Sequence, residues 1–232
     1  MDNLEEKNNQ FDLSTGDLMA SILMVFVLCL IGTMLQLQEE FDDKSKVAER
    51  YKELQSQIYI DLQKEFKDDL KIWGAEIDKE QLIFRFTEPD ILFKVGRSEV
   101  KQEFRGILKS FFPRYIKVLN SINYKDHIEE IRVEGHTSLE GQNGMTDEQA
   151  YFYNMKLSQD RTRSVLSFVL NQLDENVYQW TKLRTTANGL SSVKPIAKND
   201  TEINRKLNRR VEFRIKTDAE KQIREMLLYG KD

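Results

Sequence analysis

Residues 17–35 read DLMASILMVFVLCLIGTML, and the rest of the chain is organised around this stretch. It is one aspartate followed by 18 uncharged residues, ten of which are Leu, Ile, Val or Phe. As an α-helix, 18 residues extend about 27 Å, close to the thickness of the hydrocarbon core of a bilayer. The apolar residues gain more on insertion than one Asp near the edge costs. We therefore predict a single membrane-spanning helix over residues 13–37.

The flanks of this run bear on its processing and orientation. It is long for the apolar region of a signal peptide, its N-terminal side is acidic, and no A-x-A-like site follows, which predicts an uncleaved signal anchor. Lys7 is the only basic residue upstream, whereas Lys44, Lys46, Arg50 and Lys52 follow downstream. The positive-inside rule, taken alone, therefore argues against a cytoplasmic N-terminus.

The polar residues of the span each have two interpretations, which do not exclude one another. Ser14 and Asp17 have the Ser-x-x-Asp spacing of a capping box, which would make Asp17 part of a helix start. An ionisable residue within a membrane span otherwise marks an ion path. Ser21 and Thr33 either serve that path and neighbouring helices or bond back to carbonyl groups of their own helix.

Composition excludes several classes of function. The chain has 35 basic and 39 acidic residues and a net charge of −4, so it lacks the basic footprint of a nucleic-acid-binding protein. Its only cysteine, Cys29, lies in the span as a small apolar residue, and no disulfide can form within the chain. The two histidines, His127 and His136, have no cysteine nearby, so we predict no metal site and no cofactor.

Residues 38–73 are predicted to form a helical connector, because they contain neither Gly nor Pro and carry apolar residues mostly three or four positions apart. The heptad pattern is partial, since Glu40 and Lys44 would occupy seam positions. We interpret the connector as a dimeric stalk, with a helix packed on its own domain as the alternative.

From Gly74 onward, short strand patterns alternate with helical ones, which predicts an α/β sandwich with a small mixed sheet over residues 74–217. The flanking segments are predicted to be a short acidic tail at 1–12 and a C-terminal helix at 218–232. The predicted elements of the sandwich are a hairpin within 77–86, strands at 131–135, 183–190 and 211–216, and helices at 97–122, 148–173 and 202–208.

Five motifs in this region resemble those of OmpA-like peptidoglycan-binding domains. VEGHTS at 133–138 is close to the family signature V-x-G-H-T-D, and YNMKLSQDR at 153–161 resembles Y-N-x-x-L-S-x-x-R. FKVG at 93–96, the segment 188–199 with NGL and KPIAKN, and the segment 201–212 ending in NRRVE fit the other three. The five motifs occur in the order of the family, which implies its fold.

The N-terminal half narrows the resemblance. A single span headed by an aspartate, followed by a helical connector and this domain, resembles MotB, the flagellar stator subunit. The acidic start and TGDLMASILMVF at 15–26 are more similar to the ZorB family, the stator-like subunits of the Zorya anti-phage system. The resemblance implies a non-enzymatic homodimer that works with a multi-span MotA-like (ZorA-type) ring in the bacterial inner membrane. A flagellar stator subunit and a passive anchor between membrane and wall are the alternatives.

The resemblance also implies a topology and a role for Asp17. The N-terminus would be cytoplasmic and the C-terminal domain periplasmic, against the count of basic residues, because long domains translocate largely regardless of flanking charge. Asp17 would take up a proton from one side of the membrane and release it to the other. In the passive anchor, it would only cap its helix.

In the OmpA-like family the domain binds the diaminopimelate of the peptidoglycan stem peptide. The resemblance places this site at Arg161, Ser138, His136, Asn154 and Leu157. Arg161 matches the family arginine, whose planar fork suits a carboxylate. A structural histidine and a surface arginine are the alternatives for His136 and Arg161.

One departure from the family pattern and two consecutive arginines complete the prediction. Ser138 stands where the family has an aspartate, so a hydroxyl replaces a carboxylate. Glu140 or Asp147 are candidates to supply the missing charge. Of Arg209 and Arg210, one is expected to pair internally, and neither is assigned to the ligand. We predict no catalytic arrangement.

Overall fold

The structure, a computed structural model, describes residues 2–94, 96–139 and 144–218, with side chains for all of these except 2–15, 43–44, 47–48 and 89. It divides the chain into two units, of which the first contains residues up to Glu49 and the second begins at Arg50. The helices are α1 (Asp2–Phe66), α2 (Asp69–Ile72), α3 (Pro89–Leu92), α4 (Gln102–Leu119), α5 (Asp147–Leu170), α6 (Glu175–Arg184) and α7 (Glu202–Asn208). The strands are β1 (Ala75–Asp78), β2 (Ile83–Phe86), β3 (Ile128–Gly135), β4 (Thr185–Gly189) and β5 (Val211–Thr217).

The first unit contains the candidate membrane span. Within the described residues, one helical segment, 16–42 of α1, is long and apolar enough to cross a bilayer. Its large apolar side chains are exposed in the isolated chain, as expected of a helix that faces lipid or partner helices.

The structure decides the local alternatives for the polar residues of the span. Because α1 begins at Asp2, Ser14 and Asp17 lie within the helix, and the prediction of a capping box at this position is wrong. The back-bonding interpretation is confirmed: Ser21 donates to the carbonyl of Asp17 and Thr33 to that of Leu30, both at 2.9 Å.

The last turns of α1 belong to the core of the second unit. Ile58, Leu62 and Phe66 are fully buried there, one helical turn apart. Two side chains of the domain hold the same turns: Tyr124 donates to Asp61 at 2.6 Å, and Arg114 contacts Glu65 at 2.7 Å. This end of the predicted connector therefore packs on its own domain, the alternative that the sequence left open. The dimeric stalk stays a prediction for the residues before it.

The second unit is built on one five-stranded sheet in the order β1-β2-β5-β3-β4. The β1–β2 hairpin is confirmed, β5 pairs antiparallel with both β2 and β3, and β3 pairs in parallel with β4. The predicted fold class, an α/β sandwich with a small mixed sheet, is therefore confirmed.

Most predicted elements are present. Helix α7 has the predicted bounds, and α4 continues through Pro113 as one helix. The strand predicted at 183–190 begins only at Thr185, because Leu183 and the residues before it form α6, which the sequence analysis missed. Val177 and Trp180, spaced as on a helix face, pack on the core and were the overlooked signal. Of the C-terminal helix predicted at 218–232, all residues after Asp218 lie outside the described residues.

Aromatic side chains fill the space between one face of the sheet and α4. The ring of Phe111 on α4 lies 4.4 Å from that of Phe84, 5.2 Å from Phe86 and 5.0 Å from Phe213. Because strand residues alternate in direction, the neighbours of these phenylalanines, such as Arg85 and Glu212, lie on the opposite face.

Helix α5 lies directly against the backbone of β3 and β4, and two glycines make this approach possible. A Cβ atom on Gly189 would lie 2.4 Å from the backbone nitrogen of Gln159, and one on Gly135 would lie 2.9 Å from the carbonyl oxygen of Ser158. The Gln159 carboxamide donates to the carbonyl of Ala187 and accepts from the amide of Gly189, as a neighbouring parallel strand would. This packing fixes the residues of α5 beside the end of β3.

We expect Gly189→Ala to lower the free energy of unfolding by about 1–3 kcal/mol, because the added methyl group meets the backbone of α5. The matched control is Gly106→Ala in α4, where a Cβ has no neighbour within 4 Å. Alanine there should raise the free energy of unfolding by about 0.5–1 kcal/mol through helix propensity. Urea unfolding followed by the fluorescence of the buried Trp73 measures both, and equal stability of the two variants would contradict the close packing.

Candidate functional site

A cavity of about 490 Å³ lies where the end of β3 meets α5, α3 and the segment from α7 to β5. Its lining includes all five residues predicted for the domain site: Arg161, Ser138, His136, Asn154 and Leu157. They come from two motifs that the sheet and α5 bring together. The structure thus assembles one concave site from residues selected by sequence.

Arg161 is a buried charge in the wall of the cavity. The residue is 8% exposed, its Nε donates to the carbonyl of Arg97 at 3.0 Å, and an Nη lies 3.4 Å from the carbonyl of Lys94. Its guanidinium carbon is 4.9 Å from the centre of the Phe93 ring. The alternative of a surface helix charge is therefore wrong. The backbone contacts and the ring hold the guanidinium plane in one orientation.

The positive charge of Arg161 has no ionic partner among the described residues. Its contacts are the two carbonyl groups and the aromatic ring, and no carboxylate lies within ion-pair distance. Burial, together with the positive charge of Arg209, lowers the pKa of Arg161 to about 10, so the group stays protonated at neutral pH. A buried cation without a counter-ion favours an anionic ligand.

Arg209 joins the cavity wall at Ser138, and the sequence analysis did not assign it to the site. It donates to the Ser138 hydroxyl at 3.3 Å and to Glu202 at 2.5 Å. Ser138 itself is 2% exposed. Other lining residues that the prediction did not select include Tyr153, Asp90 and Glu202. Tyr153 opens the YN motif and was the one signal available in the sequence.

The remaining candidates for the site are placed as follows. Asp147 is exposed at the start of α5 and does not line the cavity, so it does not supply the charge that Ser138 lacks. Glu140 lies outside the described residues. Asp17 belongs to the first unit, whereas the five cavity residues belong to the second.

His136 contributes a neutral wall. It is buried, its backbone amide donates to the carbonyl of Arg210, and its Nε2 lies 3.3 Å from a carboxylate oxygen of Glu212. Burial and the positive charge of Arg210 lower the pKa of His136, which keeps the imidazole neutral at pH 7. These contacts fit the structural histidine that the sequence left as an alternative.

A buried ion network on the outer face of the sheet supports this wall. Glu212 lies 2.6 Å from Arg85 and 2.7 Å from Arg210, which confirms that one of the two consecutive arginines pairs internally. Burial alone would raise the pKa of Glu212, but the hydrogen bond from His136 and the charge of Arg210 prevail and hold it well below its usual range. The carboxylate of Glu212 is therefore ionised in the folded domain near neutral pH.

Within the described part of the chain, one group of side chains lies close enough together to be considered as metal ligands. Glu134, His136 and Glu212 place potential ligand atoms within 4.8 Å of one another, and all three are buried. Both carboxylates already pair with arginines, since Arg214 contacts Glu134 at 3.2 Å in addition to the partners of Glu212. The group is accordingly interpreted as part of the ion network.

Comparison with known proteins identifies the family. Residues 92–209 match the OmpA family, and this range contains all five residues predicted for the site. The fold is similar to that of a MotB-like protein from Desulfovibrio vulgaris, at 22% identity and a TM-score of 0.53 over 75% of this chain and 94% of the other. The periplasmic domain of Helicobacter pylori MotB also aligns, at 18% identity and a TM-score of 0.47, over 68% of this chain and 91% of that one.

The chain is also similar in sequence to the Zorya protein ZorB from Escherichia coli. The two chains are 42% identical over 224 residues, which covers 96% of this chain and 94% of the relative. The chain belongs to the ZorB family. The match extends through the candidate span as well as the OmpA domain, so both units of this ZorB-family protein are shared with the relative.

We expect Glu212→Gln to lower the free energy of unfolding by about 3–5 kcal/mol, because Arg85 and Arg210 lose the charge that balances them in a buried site. The control is Glu76→Gln, which removes the other carboxylate paired with Arg85. Glu76 is exposed, so this change should cost less than about 1 kcal/mol. Chemical unfolding at pH 7 measures both.

The pH dependence of the free energy of unfolding gives a second measurement on Glu212. The pKa of Glu212 is lower in the folded protein than its usual value of 4.5, so its stabilisation is present above that value and is lost as the pH falls towards the folded-state pKa. The difference between wild type and Glu212→Gln should therefore shrink below about pH 4.5. A difference that stays constant with pH would contradict the assignment.

Proposed function

We propose that this ZorB-family protein is a non-enzymatic, ion-driven stator-type subunit that spans the inner membrane once and is anchored to peptidoglycan. The observation that carries the proposal is Arg161, a buried and oriented cation in a cavity formed by the OmpA-family motifs. The proposal has two parts, a wall-binding site in the second unit and an ion-translocating carboxylate, Asp17, in the first.

The chemistry of the cavity fits a stem peptide. Diaminopimelate carries carboxylates, and a guanidinium can bind a carboxylate through two parallel hydrogen bonds. Two backbone carbonyls and the Phe93 ring already fix the Arg161 plane, so little side-chain entropy is lost on binding. Asn154 and Leu157 line the same cavity two turns and one turn before Arg161 on α5, and they supply a polar and an apolar contact.

A wall-binding domain has to lie on the periplasmic side, so we propose a cytoplasmic N-terminus. The basic residues after the span argue for the opposite orientation. Long soluble domains translocate largely regardless of such charges, and four basic residues weigh less than a domain of this size.

We propose that Asp17 transfers the ion, with H⁺ as the working choice. Asp17 directly precedes the uncharged stretch. A carboxylate in this position can alternate between a charged form, when it is exposed to water, and a neutral form, when it is buried in a helix interface. Moving one charge through a membrane potential of 100 mV supplies about 2.3 kcal/mol, enough to bias a two-state interface. The partners in this scheme are a second copy of the chain and a MotA-like (ZorA-type) ring, and the output serves anti-phage defence.

The structure weakens the passive-anchor alternative at one point. That alternative explained Asp17 as part of a helix start, but α1 begins at Asp2 and Asp17 lies inside it. The extent of the similarity to ZorB favours defence over flagellar motility.

We expect Arg161→Ala to weaken co-sedimentation with purified peptidoglycan by roughly 10- to 100-fold in affinity, because charge-assisted hydrogen bonds to a carboxylate are lost. Arg163→Ala is the matched control, since Arg163 lies two residues further along α5 with an exposed side chain and a weak contact to Asp160. Equal pelleting of Arg161→Ala and wild type would contradict the site.

We expect Asp17→Asn to abolish protection in a phage-plating assay, because an amide of nearly the same shape cannot carry a transferable proton. Asp42→Asn, on the same helix but beyond the uncharged stretch, should keep protection. The amount of each variant in the membrane fraction is the control for insertion. Full protection by a normally inserted Asp17→Asn would favour the passive anchor.

A further inference from the structure

The charged side chains that line the cavity differ in whether they have an ionic partner. This difference bears on which ligand the cavity binds. Its two described carboxylates, Asp90 and Glu202, both have cationic partners: Asp90 lies 2.6 Å from Lys206, and Glu202 lies 2.5 Å from Arg209. These pairings lower the pKa of both carboxyl groups. In contrast, Arg161 has no carboxylate partner in the described structure.

The wall at Ser138 would not favour a ligand ammonium group. The Ser138 hydroxyl accepts a hydrogen bond from the guanidinium of Arg209, which is itself paired with Glu202, so the carboxylate near this wall is already engaged. The hydroxyl of Ser138 supplies no negative charge of its own to bind an ammonium group.

The same wall is suited to neutral polar groups. Ser138 has a hydroxyl proton to donate, and the adjacent Thr137 hydroxyl is buried with no hydrogen-bond partner among the described residues. A buried hydroxyl without a partner costs free energy that a ligand carbonyl or amide can recover. The cavity therefore combines one site for an anion with neighbouring sites for an amide.

Diaminopimelate presents this combination in one of its two forms. Its distal centre carries a carboxylate and an amine, and in a cross-link that amine is acylated by a neighbouring stem peptide. The free amine is an ammonium at neutral pH, whereas the acylated amine is a neutral amide. The pattern of charges in the cavity matches the second form.

We propose that the cavity binds stem peptides whose distal diaminopimelate amine is acylated, as in cross-linked peptidoglycan, at least as tightly as peptides in which this amine is free. The inference rests on the proposed peptidoglycan site and adds its selectivity, with Ser138 as the determining residue. A subunit of this kind is anchored in cross-linked wall and does not depend on free stem peptides.

The test measures two dissociation constants by calorimetry on the full-length protein in detergent. The ligands are the synthetic tripeptide L-Ala-γ-D-Glu-diaminopimelate and its derivative acetylated on the distal amine. We expect the acetylated peptide to bind as tightly as the free peptide, within about threefold, or more tightly. A preference for the free amine greater than about threefold overturns the inference and indicates a carboxylate outside the described residues, such as Glu140.

Two variants of Ser138 test the assigned cause. Ser138→Asp should shift the preference about tenfold towards the free amine, because it adds a carboxylate, whereas the neutral Ser138→Asn of similar size should not. An equal shift in both variants overturns the role of charge at this position. Should Ser138→Asp fail to fold, the two wild-type constants and Ser138→Asn still decide the inference.

Arg161→Ala separates this inference from the function on which it rests. If both peptides lose affinity in Arg161→Ala, the peptidoglycan site stands whatever the preference for the amine. If wild type binds neither peptide, or Arg161→Ala binds both as wild type does, the proposed site fails and the selectivity fails with it.

Discussion

The close contact between α5 and the backbone of β3 and β4 is the constraint on which the second unit depends. It exists because Gly135 and Gly189 have no Cβ to hold the helix away. The parallel β3–β4 pair and the bonds of Gln159 to the edge of β4 then fix the helix along its axis. Arg161 is carried on this helix, so its position beside the end of β3 is a consequence of backbone packing.

Two ionic arrangements of opposite character lie around the end of β3. On the outer face of the sheet, the carboxylate of Glu212 is neutralised by arginines and supports the wall that His136 forms. In the cavity, the described residues offer Arg161 no such compensation. A protein bears the cost of a buried uncompensated charge most readily where a ligand supplies the opposite charge, which is the physical basis for treating this cavity as the binding site.

The sequence was sufficient for the fold and, through the resemblance to OmpA-like domains, for five residues of the cavity, because both depend on patterns and motifs that are local in sequence. Alternation predicted the β1–β2 hairpin, and the motifs at 133–138 and 153–161 predicted residues that the structure brings together. Contacts set by tertiary packing were not predictable in this way. The burial of the last turns of α1 and the position of Arg209 against Ser138 both depend on neighbours distant in sequence. Helix α6 is a different case, because the spacing of Val177 and Trp180 is a local signal that was overlooked.

The central claim is that Arg161 supplies the binding site for a ligand carboxylate. The most direct measurement is a crystal structure of the protein bound to a diaminopimelate-containing stem peptide. We predict a carboxylate of the peptide within hydrogen-bond distance of the Arg161 guanidinium, with the Phe93 ring still behind it. A peptide bound elsewhere on the domain, or bound in this cavity with its carboxylates turned away from Arg161, would contradict the account.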